Sequence, residues 1–248
     1  MGSNGFTPAC SAKDFIKMSK TISAKELHGK GALLREQDRH ELALQYLTRA
    51  IVAYQKEGNY EGLVDALKDR VLTWKHYFLL TDDKVYAILA LKDSETMLSV
   101  AKEYKLKNKF DTAYFRLGEV AMLFEDFPLA IKYYNNSLKF FRGCAAEKGD
   151  FRYHLGEAVY RNGQKGEGKK IILQGLGEII KGSDGTDPFQ IHVWESGCHM
   201  RLAELLVKDE PEESIKHYKA AKTIAQSDPK LVIRKRQIKE LGKKLKIV

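Results

Sequence analysis

The sequence predicts an all-α chain assembled as a stack of helix pairs, and three observations carry that prediction. Apolar residues recur at three- and four-residue intervals along most of the 248 residues, helix breakers are closely spaced, and one pattern of small and large residues occurs five times. In "HELALQYLTRAIVAY", Leu42, Leu44, Leu47, Ile51 and Tyr54 keep helical spacing. No segment alternates with period two for long enough to make a strand.

Breakers set the element boundaries. They fall at Asp38, Gly58-Asn59, Thr81-Asp82-Asp83, Asp126-Phe127-Pro128, Gly149-Asp150, Asn162-Gly163, Gly182 to Pro188, Glu210-Pro211 and Ser227-Asp228-Pro229. Residues 23–246 thereby divide into about eleven helices joined by short turns. The repeated pattern places two small residues seven apart with a large apolar one between them. Its occurrences are Ala43-Leu47-Ala50, Ala87-Leu91-Ser94, Ala130-Tyr134-Ser137, Gly168-Ile172-Gly175 and Ser214-Tyr218-Ala221. Small residues at that spacing share one helix face and admit a neighbouring helix at roughly 8–10 Å, while the large residue fills the gap. In three units a glycine stands twelve residues earlier (Gly31, Gly118, Gly156) and supplies the other half of the crossing. Ala203 takes this place one residue nearer in the last unit, and Lys75 falls there in the second, where the register is weak.

At these residues the chain resembles the tetratricopeptide repeat family. "AYFRLGEVAMLFEDFPLAIKYYNNSLKFF" carries Leu117-Gly118, Ala130, Tyr134 and Ser137 in the signature places, and "RYHLGEAVYRNGQKGEGKKIILQGLGEI" is a sister unit with Leu155-Gly156. Its intervals of 38 to 46 exceed the usual repeat of about 34, so the helices are longer and the fold is TPR-like. The resemblance implies a right-handed superhelix of about five antiparallel helix pairs, first helices lining a concave groove, and a protein- or peptide-binding role without chemistry. The expected organisation is an N-terminal segment at 1–22, partly flexible, a repeat domain at 23–227, and a basic capping helix at 228–248.

Charge and cysteine content bound the partners and the compartment. The formal net charge of +9 is concentrated at the ends: residues 229–248 carry +7 and residues 1–22 carry +2, leaving the body neutral. Three widely spaced cysteines, Cys10, Cys144 and Cys198, argue against a disulfide framework and for a reducing, cytoplasmic setting. No apolar run approaches the length of a membrane span, and the N-terminus lacks an apolar signal region.

Motifs that could carry chemistry fail their context. "YRNGQKGEGKKIILQ" (160–174) matches G-x-x-x-x-G-K, but a phosphate-binding loop needs a strand before it and a hydroxyl after the lysine. A helical pattern precedes it, and Lys170 stands where the hydroxyl belongs. His192, Cys198 and His199 share one predicted helix but offer at most two ligands to one metal. No Ser, Cys or Asp has a nucleophile's partners, so no catalytic residue, cofactor or metal is expected and the chain reads as a non-enzyme.

The recurring glutamate after the small crossing residue is more informative: Glu119 in "LGEVA", Glu157 in "LGEAV" and Glu204 in "LAELL". If the resemblance holds, these line the groove with Phe115, Met122, Tyr153, Tyr160 and Met200, and with Asp69, His76, Thr112 and Asp150. Such an acidic, aromatic-walled groove suits a segment bearing Lys or Arg beside apolar anchors. The competing reading is local pairing, as of Glu119 with Arg116. The asparagines of a chaperone carboxylate clamp are replaced by Ala32 and Thr73, which disfavours that branch of the family. An alternative function is association with nucleic acid or an anionic surface through Lys235, Lys239, Lys243 and Lys244 of the last helix.

Overall fold

A computed structural model of the chain describes residues 22–246. Apart from its last residue, the N-terminal segment 1–22 lies outside the described residues, as do residues 247–248. The described residues form eleven α-helices: α1 (Ala24–Glu36), α2 (His40–Glu57), α3 (Tyr60–Thr81), α4 (Lys84–Glu103), α5 (Phe110–Leu123), α6 (Phe127–Phe140), α7 (Ala145–Arg161), α8 (Lys165–Lys181), α9 (Pro188–Leu206), α10 (Pro211–Ser227) and α11 (Val232–Lys244). A 3₁₀ turn at Lys107–Lys109 precedes α5.

Helix starts follow capping chemistry. Ser23 and Glu26 form a reciprocal capping box at α1, and the side chains of Asn59, Asp83, Asp126 and Asp187 accept backbone N–H bonds at the starts of α3, α4, α6 and α9. Pro128, Pro188 and Pro211 stand in first turns, where no backbone donor is missed.

Short turns make each odd helix pack against the even helix that follows it, and each odd helix also touches the next odd one. Thus α1, α3, α5, α7, α9 and α11 form one layer, and α2, α4, α6, α8 and α10 the other. The crossings are those expected from the repeated pattern. All ten small residues of the five units are buried, and Leu47, Tyr134, Ile172 and Tyr218 between them are buried too. A Cβ on Gly31 would lie 2.7 Å from Leu47 Cγ, on Gly118 2.6 Å from the Tyr134 ring, and on Gly156 2.7 Å from the Ile172 backbone. Any side chain there would push the helices of a pair apart.

Three boundaries differ from expectation. None of the breakers marks the α4–α5 turn at 104–109, where Lys105 takes φ +56°. Gly149-Asp150 does not end a helix; α7 runs through it, and the break lies at 141–144. Gly149 is needed for approach rather than for a turn, since its Cβ would sit 2.5 Å from the Gly175 carbonyl oxygen on α8. The last helix starts at Val232 rather than Pro229, because Asp228 accepts from the Lys230 backbone N–H (2.9 Å) and meets His192 Nδ1 (3.0 Å).

α11 buries Ile238 and Leu241 against Met200, Ala203, Tyr218, Ala221 and Ala225, covering the end of the stack. It also reaches the first turn. Arg236 donates two bonds to Asp38, Nε to Oδ2 at 2.6 Å and Nη2 to Oδ1 at 2.9 Å, joining residues 198 apart in sequence. The odd-helix layer therefore closes on itself. No helix among the described residues is long and apolar enough to cross a membrane.

Candidate functional site

The inner faces of the odd helices line a cavity of about 480 Å³ that is partly open to solvent. Each odd helix contributes a stripe at three- to four-residue spacing: Arg35-Glu36 from α1; Lys68, Asp69, Leu72, Lys75, His76 and Leu79 from α3; Thr112, Phe115, Arg116 and Glu119 from α5. α7 adds Glu147, Asp150, Phe151, Tyr153 and His154, and α9 adds Phe189, Gln190, Val193, Trp194, Gly197, Met200 and Arg201. Leu231, Ile233, Arg234 and Gln237, on and just before α11, form the remaining wall. Phe115 and Phe151 stack with ring centroids 4.1 Å apart, giving the polar cavity an apolar side.

Most of its charges are mutually satisfied. Arg35 pairs with Asp69 (2.7 Å) and Glu36 (2.8 Å), and His28 also reaches Asp69 (2.8 Å). Glu119 is buried between Lys75 (2.5 Å) and Arg116. Burial pushes its carboxyl pKa up, but Arg116 and Lys75 outweigh that and hold it far below the usual range. His76 and His154 are kept neutral, chiefly by burial and then by the nearby Lys75 charge.

Lys68 and Glu147 have no ion-pair partner among the described residues, and burial raises the Glu147 pKa; two further groups also stand apart. Asp150 is 7% exposed and has no hydrogen-bond partner among the described residues; its nearest cationic candidate is His154 Nε2 at 3.9 Å. Burial, reinforced by the Glu119 charge and only partly offset by Arg116 and Lys75, raises its pKa to about 7. Across the cavity, the guanidinium of Arg234 has neutral acceptors only: the Val193 carbonyl (3.0 Å), Gln237 Oε1 (2.9 Å) and Met200 Sδ (3.5 Å).

The residues expected in the groove divide by their distance along each helix. Phe115, Glu119, Asp150 and Tyr153 line the cavity, as do Asp69, His76, Thr112 and Met200. Met122, Glu157, Tyr160 and Glu204 lie outside it, a correction with one cause. They belong to the correct helix faces, but one or two turns beyond the cavity-lining stretch. Met122 packs in the α5–α7 core, and Tyr160 donates to the Leu205 carbonyl (3.1 Å). Glu157 and Glu204 join Arg161, Arg201 and Lys244 in a separate ion-pair cluster. Within the cavity-lining stretch Glu36 and Glu119 are neutralised by arginine and lysine, whereas among the described residues Glu147 has no ion-pair partner and Asp150 has no cationic partner closer than His154. In the basic helix, Lys243 pairs with Glu240 and Lys244 with Glu204, while Lys235 and Lys239 have no partner among the described residues.

The other motifs are absorbed by packing. Gly163 ends α7 at φ +93°, a Cβ on Gly168 would meet the Tyr160 backbone at 2.5 Å, and Lys169 pairs with Glu210 at 2.5 Å. Gly166 has open space around it. His199 and His217 face each other, Nδ1 to Nδ1 at 2.8 Å, whereas Cys198 is buried toward the Ile172 carbonyl. Arg234, Trp194 and Gly197 were not singled out by sequence. Gly197 alone gave a signal, being an unexplained glycine inside a helix.

No family model matches the chain, and no curated protein matches its sequence. Among solved structures it is similar to a Rap protein complexed with competence and sporulation factor, at a TM-score of 0.57, 13% identity and 90% coverage of this chain. This chain spans 64% of that protein's length. A second similarity, to the APC/C hetero-tetramer Cut9-Hcn1, has a TM-score of 0.40 at 14% identity, covering 91% of this chain and 44% of that one.

Proposed function

We propose that this chain, whose fold is that of the TPR-like helical repeats, is a non-enzymatic adaptor that binds a short segment of a protein or peptide in its central cavity. The observation that carries the reading is Asp150: a largely buried carboxyl that pairs with no cation among the described residues, on the wall of a partly open cavity and beside a stacked aromatic pair. A buried polar group without a partner is costly, and a ligand that brings the partner relieves that cost.

Size limits the ligand. One helical turn, about 5.4 Å long and 10–12 Å across, would fill about 480 Å³ by itself. The cavity therefore suits a few extended residues, one bearing an ammonium or guanidinium for Asp150, with apolar neighbours for Phe115, Phe151 and Trp194. That the similar Rap protein is complexed with competence and sporulation factor is in keeping with this reading. The alternative, attraction of nucleic acid or an anionic surface by α11, retains Lys235 and Lys239 as unpaired cations, since Lys243 and Lys244 are engaged within the fold.

An array of short peptides probed with the purified chain tests the proposal. Lys- or Arg-containing sequences with aliphatic or aromatic neighbours are expected to be enriched, and Asp150→Lys is expected to abolish the enrichment. Equal binding of uncharged peptides, or binding that survives Asp150→Lys, would overturn it.

A further inference from the structure

We propose that the N-terminal half of α11 is a displaceable wall of this cavity, whose place an external segment carrying arginine beside aliphatic residues takes on binding. The inference rests on the cavity being the ligand site. Its first support is chemical likeness: Leu231, Ile233 and Arg234 present to the cavity the aliphatic-plus-guanidinium combination that the site suits.

Its second support is a built seat. Arg234 Nη2 packs against Gly197: a Cβ there would stand 3.0 Å from that nitrogen and 2.9 Å from the Tyr153 hydroxyl, so the tips of both side chains would have to shift. The Val193 carbonyl, Gln237 and Met200 complete the seat. A glycine in a helix interior is intrinsically unfavourable, so its presence in α9 is accounted for by what it admits.

Third, closure is held unevenly. The C-terminal half of α11 is anchored by Ile238 and Leu241 in an apolar cluster. Its N-terminal end buries Leu231 and Ile233 but is tied to the first repeat by Arg236 and Asp38, whose side chains are 29% and 23% exposed, so water competes for the pair. Arg234, moreover, makes no ion pair with the acid of the site. A ligand whose cation reaches Asp150 makes a contact that α11 forgoes, which favours displacement.

The test uses the full chain and a fluorescein-labelled peptide of residues 231–237, LVIRKRQ. Arg236→Asp is expected to raise amide exchange across 232–237, leave helicity intact, and strengthen peptide binding about tenfold by increasing the open population. Combining it with Asp38→Arg restores the ion pair in reverse and should return both readouts toward wild type. Unchanged exchange in Arg236→Asp would overturn the latch. Raised exchange without tighter peptide binding would overturn competition. Adding Asp150→Lys to the opened variant separates the two readings: lost binding supports both, whereas retained binding with α11 released sinks the cavity assignment and leaves the latch standing as a contact without a ligand to gate.

Discussion

Asp150 and Glu157 are seven residues apart on one face of α7, yet their electrostatic fates are opposite. Glu157 accepts from Arg161 (2.9 Å) and Arg201 (3.0 Å), and its charge is the main reason that Arg201 holds its proton more tightly than usual. Asp150, two turns earlier, meets no cation closer than a histidine at 3.9 Å. Helical period places both on the inner face. What differs is the neighbour: at Glu157 α9 offers Arg201, whereas at Asp150 the layer opens into the cavity. The closed end of the stripe is devoted to stability, and the open end leaves a polar group for something else.

Four measurements would break or sharpen that contrast. The largest effect is expected from Glu157→Ala, which leaves the half-buried Arg201 with Glu204 as its remaining partner; chemical denaturation should register a loss of about 3 kcal/mol. The same substitution at an exposed lysine should do almost nothing.

Acidification comes next. His76, His154 and His199 are neutral in the fold, with pKa values depressed chiefly by burial, that of His199 to about 4 from 6.5. The unfolded chain therefore takes up protons first, so the histidine contribution is complete above pH 6.5 and is lost as pH falls toward 4. Denaturation midpoints across that range should report a loss of roughly 2–3 kcal/mol for His199 alone. A flat profile would mean that these imidazoles titrate in the fold as they do in the unfolded chain.

Asp150→Asn should act in the other direction. With its folded pKa raised to about 7, Asp150 favours the fold while protonated and loses that contribution as pH rises from 3.8 through 7. The variant should be more stable than wild type by about 1 kcal/mol at alkaline pH and equal to it in acid, while losing peptide binding. Stability gained together with binding lost is the signature of a functional rather than structural carboxylate. Destabilisation would instead place Asp150 in the same class as Glu157. The smallest effect is expected from Lys239→Glu, which should change stability by less than about 0.5 kcal/mol, because this exposed lysine has no partner among the described residues.

Much of the fold was legible from spacing. The crossings of Gly31 on Leu47, Gly118 on Tyr134 and Gly156 on Ile172 follow from a pattern in which small residues recur at a fixed distance from large ones, because close helix packing demands that complement in every unit. Gly149 misled for a related reason: glycine serves both turns and close approaches, and local sequence does not say which. The candidate site was half legible. Phe115, Glu119, Asp150 and Tyr153 were found because a helical stripe is a local property, but where along the stripe the cavity ends depends on how successive helices converge. The pairing of Glu119 with Arg116 lies within one helical turn and could be foreseen. Its second partner, Lys75, is 44 residues away.

By itself, then, the sequence determined the helices, their pairing into repeats, and the faces turned inward, since each depends on periodicity and on side-chain size over short distances. Tertiary structure alone decided which inward charges are cancelled, that Arg236 reaches Asp38 from 198 residues away, and that Asp150 is left unpaired. Those outcomes depend on the accumulated curvature of six stacked helices. Curvature sums small angles at every interface, and no local pattern encodes where such a sum brings the two ends of the chain.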